Sequence, residues 1–143
     1  MMRTSVKNIL VGWDIALVDD EPDSLEVALR WLRLAGARVL TASDGRAGLQ
    51  MVRAAQPRLV ITDLSMPDMD GWELQYELKQ DPDTMHIPVI ALTAHAMPSI
   101  KQQTGAAGFI GHISKPLNPT RFVFQVVDIA RTVPELITHL DAH

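Results

Sequence analysis

The 143-residue chain contains no cysteine. That absence excludes a disulfide scaffold, a thiolate zinc site, an iron–sulfur cluster and a cysteine nucleophile. It also points to a reducing or redox-indifferent compartment. No hydrophobic run is long enough for a membrane span. The longest stretch free of Asp, Glu, Lys and Arg is the 17 residues Thr84 to Ile100, and His86, Pro88, His95 and Pro98 interrupt it. Arg3 and Lys7 precede the apolar run Ile9-Leu10-Val11, but Asp14 follows and there is no small-residue cleavage site, so no cleaved signal peptide is expected. There is no basic excess either. Thirteen Lys and Arg against 17 Asp and Glu leave a net charge of −4, the wrong sign for a chain that neutralises phosphates of nucleic acid. Repeats and low-complexity tracts are missing too. What is present is ordinary globular material, 47% hydrophobic and 21% charged, of one-domain length.

The hydrophobic pattern alternates between two periods. Ile15 to Val18, Arg38 to Ala42, Arg58 to Thr62, Pro88 to Leu92 and Gly111 to Ser114 read as strands, most of them apolar without alternation, as strands buried on both faces are. Between them lie helical patterns. Pro22 opens the first helix, with Leu25, Ala28, Leu29 and Leu32 on its inner stripe and Gly36 as its stop. Ser43 or Asp44 caps the second, which Pro57 ends. The third follows the loop Ser65 to Gly71 and runs to about Gln80. The fourth opens at Pro98 and stops at Gly108, and the fifth starts at Asn118 or Thr120. Five strands each followed by a helix predict an α/β fold: a five-stranded parallel sheet, doubly wound as (βα)5, with helices on both faces. Met1 to Asp14 reads as an extension and Thr132 to His143 as a tail.

Ligands of such sheets bind beyond the carboxyl ends of the strands. Those ends carry Asp19-Asp20-Glu21, Asp63, Thr93 and Lys115. Singly, each reads as a turn former or a solvated surface group. Together they converge on one edge. Clustered carboxylates repel one another and require a cation or a shared proton. Oxygen-only ligation with few side chains suits Mg2+. One carboxylate then attacks a phosphoryl group while Mg2+ and Lys115 offset the developing charge and Thr93 hydrogen-bonds a phosphoryl oxygen. The residues by themselves therefore predict an aspartyl-phosphate site.

Four motifs in order carry a family resemblance: Leu17-Val18-Asp19-Asp20-Glu21, then Asp63-Leu64-Ser65-Met66-Pro67 with Asp70-Gly71, then Pro88-Val89-Ile90-Ala91-Leu92-Thr93-Ala94, then Lys115-Pro116. Over about Ile15 to Arg131 the chain resembles the response-regulator receiver domains of two-component signalling, the CheY-like superfamily with its flavodoxin-like fold. The resemblance implies that Asp63 is the phosphoacceptor. It implies that Asp20 ligates Mg2+ directly, Asp19 through water, and the Ser65 backbone carbonyl as a further ligand. Thr93 and Lys115 would contact the phosphoryl group, with backbone N–H groups near Leu64, Ser65 and Ala94. The Lys115-Pro116 bond resembles one that is cis in the family and aims the lysine into the site. The implied partners are a histidine kinase or histidine phosphotransfer protein and a downstream protein target, in the cytoplasm, with no membrane or nucleic acid, the chain being a monomer or weak dimer. The chain would catalyse its own phosphorylation and dephosphorylation but act mainly as a switch.

Departures from the family pattern stand beside these matches. His112 occupies the switch position, three before Lys115, where the family has Tyr or Phe. Ser65 and His95 occupy positions that influence acyl-phosphate lifetime. Phe109 and Ile110 replace the commoner Ala and Asp, and either form a partner surface beside the switch or pack under the fourth helix. On the first helix Val27, Trp31 and Leu34 extend the apolar arc beyond a core stripe. They are expected to dock a histidine-bearing helical bundle, unless the N-terminal extension or the last helix covers them.

Other classes fit less well. Asp68-Met69-Asp70-Gly71 with Glu77 lacks the first carboxylate of a calcium loop. A haloacid-dehalogenase-type phosphatase needs a second Asp where Ser65 stands. The acids Asp19-Asp20-Glu21 would repel a flavin phosphate. His139 and His143 are spaced for a metal but lie in a tail expected to fray. A non-phosphorylated pseudo-receiver acting as a binding module is the competing class, and the intact acceptor set argues against it. Terminal segments of 14 and 12 residues are too short for an output domain. A complete chain would then act by protein contact or onward phosphotransfer, whereas a receiver excised from a hybrid kinase would not be bound by that argument.

Overall fold

The computed structural model describes residues 6–94 and 98–141, with side chains to residue 137. Five parallel strands, β1 (Asp14–Val18), β2 (Arg38–Ala42), β3 (Leu59–Asp63), β4 (Val89–Thr93) and β5 (Gly111–Ser114), form one sheet in the order β2-β1-β3-β4-β5. The helices are α1 (Pro22–Leu34), α2 (Gly45–Ala55), α3 (Gly71–Gln80), α4 (Ile100–Ala106), α5 (Phe122–Ala130) and α6 (Pro134–Asp141). The doubly wound α/β expectation is met; β2 and β5 have the expected bounds, and the other boundaries differ by up to four residues.

Local chemistry explains most of these boundaries. Asp44 Oδ1 accepts from Ala47 N at 2.8 Å and Asp70 Oδ1 from Glu73 N at 2.9 Å, so each caps an orphan amide at its helix start. Helix α5 begins later than expected, because Asn118 Oδ1 turns onto Thr120 N (3.1 Å) and Oγ1 (2.9 Å), holding those residues in a turn. Successive strand residues point to opposite faces. Ile15, Leu17, Leu59, Ile61, Ile90 and Leu92 pack against Ala28 and Leu32 of α1 and the apolar face of α5. Ala16, Val18, Val60, Val89 and Ala91 pack against Leu49 and Val52 of α2 and Leu74 and Leu78 of α3.

The chain ends behave differently from an extension and a loose tail. Leu10 and Trp13 are fully buried in the α1–α5 side of the core, together with Val6. Leu10 N donates to Ala35 O at 2.7 Å, and Arg38 N to Trp13 O at 2.8 Å. Gly36 makes this possible. It sits at φ +96°, and a Cβ there would lie 2.6 Å from Val11 Cγ2. The tail forms α6, and its Leu136 is buried in the same cluster. His95 and His143, and the His139 side chain, lie outside the described residues.

Candidate functional site

The sheet reverses its winding between β1 and β3, and the crevice at that switch point is where the acids meet. Asp19 and Asp20 follow β1 directly, and Asp63 ends β3. One carboxylate oxygen from each of Asp19, Asp20 and Asp63 lies within 4.8 Å of the others. Asp19 and Asp63 are buried, and Asp20 is half-buried. Gly71 lets α3 start against the end of β3, because a Cβ there would collide with the Asp63 carbonyl oxygen.

Lys115 enters from the far side of the sheet, after β5, with its side chain only 6% exposed. Its backbone N donates to Thr93 O at 2.7 Å, and the Lys115-Pro116 peptide is cis. Its Nζ donates to Asp63 Oδ2 at 3.1 Å and to Asp19 Oδ1 at 3.2 Å. Its third bond goes to Glu21 Oε1. Glu21 reads in the sequence as an acid at a helix start, and its pairing with Lys115 spans 94 positions. The available sequence signal was the run of three consecutive acids.

Electrostatics mark the cluster as under-neutralised. Burial raises the Asp63 carboxyl above its ordinary value of 3.8. Lys115 opposes that rise, and the neighbouring Asp19 charge adds to it. Asp20 is raised as well, by burial first and by the Asp63 charge second. Burial alone would lower Lys115, but its bonds to Glu21, Asp19 and Asp63 outweigh this and raise it. Asp20 Oδ1 is buried without a hydrogen-bond partner. Asp19 Oδ2 lies 3.0 Å from Lys115 Nζ but also lacks a well-aligned hydrogen bond. Buried carboxylate oxygens left open in this way fit a hard divalent cation, which would use them as ligands.

The remaining predicted positions divide. Thr93 is buried at the end of β4 and in register with Ser114. His112 is half-buried on β5, opposite Ala91. Ser65 N donates to Asp63 Oδ1 at 3.3 Å. The Leu64 N–H, expected to face the phosphoryl group, instead donates to Leu92 O and extends the ladder between β3 and β4, so it is already committed. Ala94 joins Glu21, Ser24, Lys115 and Pro116 around a shallow cleft of about 280 Å³ over the site. Phe109 does not form an exposed surface. It is buried and edge-on to Trp72, with ring centroids 5.6 Å apart. Ile110 is half-buried against the α1–α5 core. Neither residue forms a fully exposed surface: Phe109 packs beside Trp72 of α3, and Ile110 packs against the opposite, α1–α5 side of the sheet. On α1, Val27 and Trp31 are half-buried, Trp31 against that same core, and Leu34 is 49% exposed.

Comparison with known proteins agrees with this geometry. The family model of the response regulator receiver domain matches residues 15–127. The polar-differentiation response regulator DivK of Brucella anthropi is 29% identical over 109 residues, covering 76% of this chain and 89% of DivK. The chemotaxis response regulator CheY4 of Vibrio cholerae superposes with a TM-score of 0.77 at 29% identity, over 82% of this chain and 98% of that one. The receiver domain of the sensor histidine kinase PA1611 of Pseudomonas aeruginosa, solved with magnesium coordinated in its active-site cleft, gives a TM-score of 0.73 at 26% identity, over 85% and 97%. Among the described residues no helix is long and apolar enough to cross a membrane. A parallel sheet that gathers three aspartates and a lysine at its switch point, matched across most of its length by the family model, belongs to the response regulator receiver domains of two-component signalling.

Proposed function

We propose that this chain accepts a phosphoryl group on Asp63 and passes the signal on by a change of conformation. The observation that carries this reading is the convergence of Asp63 with Asp19, Asp20 and Lys115 in one buried cluster. The donor is a phosphohistidine of a histidine kinase or a histidine phosphotransfer protein. An Asp63 carboxylate oxygen attacks phosphorus, the P–O bond forms, and the donor's P–N bond breaks. The imidazole leaves with the electron pair and takes a proton from solvent.

Asp19, Asp20 and Asp63, with the Ser65 backbone carbonyl, would hold Mg2+, the ion that the PA1611 receiver carries in its own cleft. When bound, Mg2+ supplies charge neutralisation at the transferring phosphoryl oxygens. Lys115 offers a further cation beside the same carboxylates, and Thr93 with the backbone N–H groups of Ser65 and Ala94 offers hydrogen bonds. The added charge favours the state in which Thr93 and Lys115 close on the phosphoryl group. Thr93 and His112 lie on adjacent paired strands two register positions apart, and these two side chains carry the proposed switch. Residues 15–131 form the receiver unit, and the arc Val27, Trp31 and Leu34 along α1, the helix that starts at the site, is the docking surface for the donor's helical bundle.

The test is incubation with Mg2+ and acetyl phosphate or phosphoramidate, followed by intact-mass measurement. The expected result is a gain of about 80 Da, one phosphoryl group, that is absent in Asp63→Asn. No gain from small donors or from any phosphorylated histidine protein would leave a binding module as the function.

A further inference from the structure

We propose that Glu21 is a positioning residue that latches Lys115 in the resting state and yields it to the incoming phosphoryl group. This inference rests on the phosphoacceptor reading above. An ammonium has three N–H donors. Here all three are used, on Asp19, Asp63 and Glu21. A phosphoryl oxygen that needs Lys115 must therefore displace an existing partner.

The three partners differ in what leaving would cost. The Asp19 side chain is fully buried, and its Oδ1 also accepts from Glu21 N at 2.9 Å, so releasing it would strand a charge in the interior. Asp63 is the acceptor itself, and its bond to Lys115 passes to the phosphoryl group it receives. The Glu21 side chain is 60% exposed and can turn into water at little cost. Among the described residues the Glu21 carboxylate has no other hydrogen-bond partner. Glu21 stands at the N-cap of α1, yet its side chain makes no capping bond to that helix. Its backbone is held by Asp19 while its carboxylate reaches across to Lys115, on the wall of the cleft above the site. An anion there both competes for the lysine and repels an arriving phosphoryl group.

The experiment compares wild type, Glu21→Gln and Asp63→Asn. Beryllofluoride binding at saturating Mg2+ serves as the phosphoryl probe. The 15N signal of the Lys115 ammonium in metal-free protein is the second readout. Glu21→Gln should bind beryllofluoride about three- to fivefold more tightly, the size of a lost exposed ion pair. The gain should shrink at high ionic strength, where that pair is already screened. In the metal-free protein the Lys115 ammonium signal should broaden, because one donor now exchanges with water. Equal or weaker beryllofluoride binding by Glu21→Gln, or an unchanged ammonium signal, would overturn the latch while wild type still binds the probe and Asp63→Asn does not. Failure of wild type itself to bind would overturn the phosphoacceptor reading on which the latch depends.

Discussion

Asp63→Asn should make the metal-free protein more stable at neutral pH, although it removes the proposed acceptor. At an effective dielectric constant near 20, charges no more than 4.8 Å apart repel by roughly 3.5 kcal/mol, and Asp63 has two such neighbours in Asp19 and Asp20. Lys115, 3.1 Å away, returns roughly 5 kcal/mol. The balance opposes the Asp63 charge by about 1–2 kcal/mol before desolvation is added, the same direction as its upward pKa shift. Asparagine keeps an acceptor for Lys115 and sheds the charge. For a domain of this size the gain is a rise of roughly 3–7 °C in Tm.

The assay is thermal unfolding followed by circular dichroism, in a chelator and again in saturating Mg2+. A carboxyl raised in the folded state stabilises fully below its unfolded value, and that stability is lost as pH rises through the folded value. The advantage of Asp63→Asn should therefore vanish as pH falls toward the ordinary 3.8. Mg2+ should stabilise wild type more than the variant, because the cation loses one charged ligand. A variant no more stable than wild type in chelator, or a gap that persists unchanged at low pH, would refute the claim that uncompensated charge governs this site.

Three further outcomes are expected. Leu10→Ala should cost about 2–5 kcal/mol, read from denaturant unfolding, because Leu10 is fully buried against α1; a change near zero would show that the N-terminal segment is not part of the cooperative unit. Lys115 is raised above 10.5, so its contribution is complete below that value and is lost as pH rises past it. Denaturation midpoints measured across the alkaline range should fall there in wild type and much less in Lys115→Met. Leu34→Glu, at a position 49% exposed, should slow phosphotransfer from a phosphohistidine partner several-fold while leaving acetyl phosphate labelling intact; equal rates with both donors would remove α1 as the docking surface.

The sheet and its acidic edge were legible in the sequence because their signals are local. A short apolar run, a proline or glycine stop and a polar residue at the strand end each occupy a few neighbouring positions. In a parallel sheet, successive strand ends must share one edge, so Asp19, Asp20, Asp63, Thr93 and Lys115 are brought together by topology alone. Tertiary packing decided what local pattern cannot encode. Phe109 is buried because Trp72, 37 positions earlier, offers its ring edge. Leu10 and Trp13 join the core because Gly36 leaves room for the segment that carries them. Thr132 to His143 lacks a strong stop or cap signal, and α6 forms there with Leu136 buried against the core. Glu21 pairs with Lys115 rather than capping its own helix because the segments that follow β1 and β5 emerge at the same edge of the parallel sheet, which sets an exposed carboxylate beside a buried ammonium already shared by two acids. Charges so far apart in the chain meet only when the fold closes around them, and the resting state of the site is set there.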